Sequence, residues 1–301
     1  MQPGTAERYS VERVETYEFP LTKPSNYYIV DVAGTRILVD AGAHEVLEAG
    51  DDAVGVLLTH WHWDHSRGLV SLREKIVCAG RETIDMLSSI RNVERSVLRP
   101  LRAMGISVRE GSDPISGFFR SILDMYSKII DGLKNNIVFE YSECPLRKLV
   151  EFEVLPCPGH TDDHNCIVIG GTIFVGDNAT LGESPTTINY RDYMHTVHRI
   201  HAGKWETLAP GHGNLLDRGE TIKYFSTVID RKNKRMARVV ASLAKGTTNF
   251  NDLLKDVYGL KPEPQAYVPA RTLIGYLRLL EHYRLAEIRW ESSPLQITFL
   301  G

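Results

Sequence analysis

The 301-residue chain predicts a mixed α/β (α+β) protein, with two sheets faced by helices and then a smaller C-terminal unit. Strand-like and helix-like patterns alternate up to about residue 215. Several apolar runs end on turns bearing histidine or aspartate, as strands do at the edge of a sheet where a site is built. Beyond residue 220 the charge balance reverses, and three helical stretches precede a short hairpin.

Sheet building starts early. Residues 11–40 read as alternating strands around a Val32-Ala33-Gly34-Thr35 turn. The next apolar run, Val54-Gly55-Val56-Leu57-Leu58-Thr59, reads as a buried strand that delivers His60-Trp61-His62-Trp63-Asp64-His65. This HxHxDH stretch packs four metal-type side chains into six residues. His60 and His62 lie on one side of an extended segment, whereas Asp64 and His65 fall on a turn opening a helix over residues 66–74, so they approach from another direction. Asp and His are poor core residues unless paired or bound to metal.

Three later segments end in the same chemistry. Pro158-Gly159-His160-Thr161 follows a strand over residues 151–155, Gly176-Asp177 closes a strand over residues 166–175, and Pro210-Gly211-His212-Gly213 follows Glu206-Thr207-Leu208. Each carries a small residue beside the ligand-type side chain, which permits close backbone approach.

Taken in order, HxHxDH, PGHT, GD and PGHG resemble the metallo-β-lactamase-fold hydrolase superfamily over roughly residues 10–220. The resemblance implies an αββα sandwich whose loops place His60, His62 and His160 on one metal ion and Asp64, His65 and His212 on a second, with Asp177 bridging. Segments 26–30 and 37–42 resemble the family's first hairpin, whose aspartate, here Asp40, supports a ligand imidazole from outside the coordination sphere. Zinc is the expected ion at both positions, with iron or manganese as alternatives for such ligands.

Between residues 81 and 138 the pattern becomes helical. One stripe runs through Ile84, Leu87, Val93, Val97 and Leu98, and another through Phe119, Ile122, Met125, Tyr126, Ile129 and Leu133. This cover either packs on the sandwich or offers an apolar wall to substrate or to a second copy in a homodimer. Residues 191–201 form another helix. Around its start, Tyr190, Tyr193 and His195 follow a loop that borders the site mouth in similar enzymes and are candidate substrate contacts, while His198 and His201 read as surface histidines. His164 and Thr161 lie beside a ligand turn, and Asp162 and Asp163 read as solvated.

Residues 221–301 carry 13 Lys plus Arg against 7 Asp plus Glu, a net of +6, leaving −9 for residues 1–220 from 22 against 31. Helices ending at Ala244, over 251–258 and over 270–283, then strands near 286–290 and 295–300, make a winged-helix-like domain. This tail resembles the C-terminal extension of the β-lactamase-like protein 2 group and its glyoxalase-II-like relatives. The expected domains are therefore a catalytic one over 1–220 and a winged-helix-like one over 221–301.

No apolar run approaches the ~20 residues that span a bilayer, and Met1-Gln2-Pro3-Gly4-Thr5-Ala6 lacks a signal pattern. Four cysteines without a CxxC pair suit unpaired thiols in a reducing, cytoplasmic setting. No membrane partner is expected.

The resemblance implies a dinuclear hydrolase in which two ions generate a bridging hydroxide near neutral pH and Asp64 orients it and carries a proton. An acyl ester, thioester or lactone is the first substrate class. The alternatives are a single-strand endoribonuclease, binding RNA through the basic tail, and a mononuclear-iron persulfide dioxygenase needing fewer ligands.

Overall fold

The computed structural model describes residues 9–16, 24–44, 51–108, 114–182 and 184–301; the N-terminal hexapeptide read for targeting lies outside them. The first sheet begins as an antiparallel meander, β1 (Tyr9–Thr16), β2 (Ser25–Val32) and β3 (Thr35–Val39), with the predicted turn at Ala33-Gly34. It continues in parallel through β4 (Gly55–Leu57). A helical turn, α1 (Trp63–Ser66), leads through a 3-10 turn at Arg67–Val70 to β5 (Ile76–Ala79). The helix expected over 66–74 therefore begins at Trp63 and is shorter, ending where Gly68 and Ser71 tighten the chain.

Three cover helices follow, α2 (Arg81–Ser88), α3 (Ile90–Ala103) and α4 (Pro114–Lys134), before β6 (Ile137–Glu140) completes the order β1-β2-β3-β4-β5-β6. The second sheet holds β7 (Glu153–Pro156), β8 (Asn165–Ile169) and β9 (Thr172–Thr180), joined after α5 (Tyr190–Ala202) by β10 (Thr207–His212) and β11 (Leu216–Asp217). The single strand expected over 166–175 is thus two, because Gly170-Gly171 turns the chain into a hairpin.

Residue alternation shows the layering. Ile37, Val39, Leu57 and Cys78 join Ile167, Ile169, Phe174 and Ala209 in an apolar layer between the sheets. Their neighbours Leu38, Val56 and Val77 point the other way, to α3 and α4, while Cys166, Ile173 and Val175 meet α5. Helix, sheet, sheet and helix therefore stack as an αββα sandwich. The apolar stripes of the cover helices face this core: Phe119, Tyr126 and Ile129 are buried against the first sheet.

Helix α6 (Arg218–Ala244) starts on a capping box in which Asp217 and Glu220 exchange hydrogen bonds. It crosses the expected boundary at 220/221: Phe225 and Val228 pack on the second sheet, and Val239 and Leu243 pack on the C-terminal helices. Then come α7 (Phe250–Tyr258), α8 (Tyr267–His282) and the antiparallel pair β12 (Ala286–Arg289) and β13 (Gln296–Phe299). Their apolar residues belong to the same cluster as Leu87, Val93 and Leu101 of the cover.

The cysteines depart from expectation. Cys78 pairs with Cys144 and Cys157 with Cys166, leaving none free. Pairing needs neighbouring backbone rather than CxxC spacing, and adjacent strands β7 and β8 bring Cys157 and Cys166 to a Cα separation of 5.7 Å. Cysteine usage thus no longer argues for a reducing compartment. No described helix is long and apolar enough to cross a membrane.

Candidate metal centre

Seven side chains from four segments converge at one edge of the sandwich. His60, His62, His160 and Asp177 form one group and Asp64, His65, Asp177 and His212 a second, with the ligand-type atoms of each group within 4.8 Å of one another. Asp177 belongs to both. Its Oδ1 lies 3.1 Å from both His65 Nε2 and His212 Nε2, and its Oδ2 lies 3.3 Å from His160 Nε2. Asp64 Oδ2 sits 3.4 Å from His212 Nε2.

Local backbone choices make this convergence possible. Asp177 lies within β9, and β10 shifts register twice against it as the chain passes Pro210 towards His212. A Cβ on Gly211 would overlap the Asp177 carboxylate, so only glycine lets β10 approach so closely. Gly159, at φ +137°, turns the PGHT segment directly against the backbone of Tyr193.

Each imidazole has a partner behind it. His60 Nδ1 donates to Thr59 Oγ1 (3.0 Å), whose own hydroxyl donates to Asp40. His65 Nδ1 donates to Asp40 Oδ2 (2.8 Å), His160 Nδ1 to Thr186 O (2.8 Å) and His212 Nδ1 to Pro24 O (2.7 Å). These acceptors hold a proton on Nδ1 and aim Nε2 inward in all four rings. His62 is reversed. Its Nδ1 faces inward, 3.1 Å from His60 Nε2 and 2.8 Å from His160 Nε2, and its Nε2 meets Arg271. Five oriented imidazoles and two carboxylates, nearly all buried, fit two hard-to-borderline divalent ions.

The electrostatics point the same way. Burial pushes His60 and His62 well below the ordinary histidine range and His160 down to about 4. For His65 and His212 burial is outweighed by Asp177 and its neighbouring carboxylates, which raise His65 well above the usual value and His212 to about 10. Asp177 is held far down despite burial by His212, His65 and His160. Protons on these rings compensate the carboxylates where cations would otherwise stand, so cation binding would release them.

Asp40 is placed as the sequence suggested. At φ +62° it follows β3, accepts Thr59 N–H at 2.7 Å, and backs His65 directly and His60 through the Thr59 hydroxyl. Other expectations are corrected. Tyr193 is fully buried behind Gly159 and its hydroxyl donates to Asn178 O, and the Tyr190 hydroxyl donates to Asn233 Oδ1, so neither is available to substrate. His195 is exposed on the outer face of α5, outside both groups. Asp163, expected to be solvated, is buried; it accepts Trp61 N–H (3.1 Å) and the Thr83 hydroxyl (2.7 Å), and burial raises it to about 6. Asp162 is exposed, 3.7 Å from Arg278. His164 stacks on His60 with ring centroids 4.7 Å apart.

Three residues near the cluster escaped sequence reasoning. The Tyr126 hydroxyl accepts Trp63 N–H, Arg271 of α8 reaches His62, and Lys232 of α6 grips Pro185 O and Thr187 Oγ1. Tyr126 sat in an apolar stripe and the two cations in a basic tail, so composition offered no signal for any of them.

The comparisons agree with this architecture. The family model described as the metallo-beta-lactamase superfamily matches residues 21–212. A beta-lactamase-like protein 2 homolog of Drosophila melanogaster is 26% identical over 257 residues, 79% of this chain and 76% of the relative. An atrochrysone carboxyl ACP thioesterase of Aspergillus fumigatus is 23% identical over 263 residues, 79% of this chain and 69% of its own. The crystal structure of a metallo-beta-lactamase family protein from Thermus thermophilus superposes with a TM-score of 0.68 at 16% identity, covering 96% of this chain and 98% of that one. With its αββα sandwich, its ordered His and Asp motifs and a family match over more than half its length, the chain belongs to the metallo-β-lactamase superfamily.

Proposed function

We propose that this protein is a dinuclear metal-dependent hydrolase of acyl thioesters, with esters and lactones as the neighbouring substrate class and zinc as the first candidate metal. The observation that carries the reading is the pair of four-residue groups sharing Asp177, assembled from preoriented imidazoles. Two divalent ions held there would supply the Lewis acidity that polarises a carbonyl and acidifies water.

The chain's own residues do the rest. Asp40, Thr59, Thr186 O and Pro24 O hold the imidazoles at fixed angles, so little reorganisation is needed during reaction. Asp64 is the more open of the two carboxylates, with its side chain 14% exposed, and His65 and His212 keep it ionised against the effect of burial. Its role in this reading is to take a proton from the attacking water and return it to the departing thiolate. The thioesterase name of the Aspergillus relative supports the substrate class.

The RNA reading rests on the +6 tail and draws less support. Of the cations in the Arg231-Lys232-Asn233-Lys234-Arg235 run, Lys232 is buried and Lys234 pairs with Asp230 at 2.7 Å. The single-iron reading leaves Asp64, His65 and His212 assembled without use.

The test is parallel turnover of a simple acyl thioester and a labelled single-stranded RNA by wild type and Asp64→Ala, after metal analysis of the purified protein. Thioester cleavage that Asp64→Ala abolishes, in a protein that remains folded, is the expected result. Full activity in the variant would sink the dinuclear mechanism, and Asp64-dependent RNA cleavage alone would replace the substrate assignment.

A further inference from the structure

The C-terminal hairpin of β12 and β13 is closed on one side and open on the other. Beyond β13 the backbone is taken: Ile297 N–H donates to Thr248 O at 2.8 Å and Phe250 N–H to Leu295 O at 3.0 Å. Among the described residues no strand pairs with the far edge of β12. The phase of the ladder fixes which groups stand at that edge. Leu300 N–H donates to Leu285 O (3.0 Å), so residues 285, 287 and 289 turn their amides towards β13, while Ala286 and Ile288 turn theirs outwards. Ile288 O also accepts Trp290 N–H at 3.2 Å, which leaves its second lone pair open. A groove of ≈ 380 Å³ lies between this stretch and the end of α8 at Glu281 and Arg284.

The side chains along the edge alternate. Ala286 and Ile288 are buried, and Glu287 and Arg289 are exposed on the outer face. Across the hairpin Glu287 faces Thr298 and Arg289 faces Gln296, and neither charge has an ion-pair partner among the described residues. Charges protect an edge strand when they repel an incoming one. A Glu and an Arg two residues apart give no such protection against a copy of themselves. In antiparallel pairing about a two-fold axis at Ile288, Glu287 of each copy stands opposite Arg289 of the other, and the two Ile288 residues exchange N–H···O bonds. The Glu–Arg positions are then the non-hydrogen-bonded pairs, where side chains approach most closely. The neighbouring registers fail. An axis at Glu287 sets two glutamates face to face, and an axis at Arg289 sets two arginines face to face.

We propose that the free edge of β12 is a homodimer surface that joins two hairpins into one four-stranded sheet, in the order β13-β12-β12-β13. The occupant is a second copy because the exposed Glu287 and Arg289 complement themselves in the register centred on Ile288. A four-residue strand makes a small interface, below the about 800 Å² per partner of stable complexes, so the dimer is weak and forms at high concentration. The assembly is independent of the reaction proposed above.

The experiment is sedimentation equilibrium of the full chain from about 1 µM to about 1 mM, the range in which so small an interface associates. Wild type should pass from monomer to dimer, with amide exchange at Ala286 and Ile288 slowing as the concentration rises. Glu287→Arg and Arg289→Glu each turn two attractive pairs into repulsive ones and should weaken association about tenfold or more, with circular dichroism unchanged. An equimolar mixture of the two variants should recover association, since the basic edge of one meets the acidic edge of the other, and so should both reversals in one chain. A wild type that stays monomeric, single reversals that dimerise as wild type does, or a mixture that stays monomeric would each overturn the assignment.

Discussion

Lys232→Met tests how far the C-terminal helices take part in building the metal centre. Lys232 is fully buried in α6, with Nζ 2.6 Å from Pro185 O, 3.1 Å from Thr187 Oγ1 and 4.8 Å from the Tyr193 ring centroid. The segment it grips presents Thr186 O to His160. Methionine keeps an apolar stem of similar length yet leaves a buried carbonyl and hydroxyl without their donor, at about 1–3 kcal/mol each, while removing the cost of a buried amine. The net loss expected in urea unfolding of the metal-free protein is about 1–3 kcal/mol. Loosening the partner of a ligand imidazole should also weaken zinc binding by about 10–100-fold in chelator competition.

The pH dependence of this effect has a definite sign. Burial lowers the Lys232 pKa well below its ordinary value, so in the window between folded and unfolded pKa the unfolded state binds the extra proton and stability rises with pH. The stability gap between wild type and Lys232→Met should therefore widen from pH 7 towards about pH 10, the unfolded pKa of lysine. A variant that loses stability but binds zinc normally would refute the link from Lys232 to His160, and a variant with unchanged stability would refute the whole account.

Asp40→Asn keeps the shape but cannot accept from Thr59 and His65 at both oxygens, so zinc affinity should fall about 10–100-fold with the circular dichroism spectrum unchanged; wild-type affinity would show that Asp40 does not orient the rings. Asp163→Asn should behave oppositely to most buried substitutions. The folded pKa of Asp163 is raised to about 6, so its protonated form is stabilised below the unfolded value of about 4, and that contribution is lost as pH rises through about 6. At pH 7 the variant should gain up to about 3 kcal/mol over wild type, the gain shrinking towards pH 4, and a pH-independent difference would count against the buried-carboxylate argument.

Much of the candidate centre was legible because its ligand-type residues lie in short segments. In HxHxDH the side chains follow a buried strand, and PGHT and PGHG place glycine where the backbone must come close, so residue type and order alone pointed to His60, His62, Asp64, His65, His160, Asp177 and His212. Asp40 was legible for the same reason, as a carboxylate closing a strand at that edge. The reading failed where one residue's role depends on what lies behind it. Tyr190 and Tyr193 look like site-mouth donors in sequence, yet helical rotation points their hydroxyls to Asn233 and Asn178. Asp163 beside the exposed Asp162 looked solvated, but its amide and hydroxyl donors come from Trp61 and Thr83, 102 and 80 residues away in the chain.

The same distinction separates what the chain alone determined from what folding decided. Periodicity and turn residues are local, so they carried the strand and helix order, the layer count and the cluster of ligand-type side chains. Contacts between distant segments are not local, and the pairing of Cys78 with Cys144, the grip of Lys232 on residues 185–187 and the approach of Arg271 to His62 leave no mark in composition or spacing. The last two arise only when α6 and α8 pack against the loops of the sandwich, because side-chain chemistry is written in the sequence and its partners are chosen by the packing.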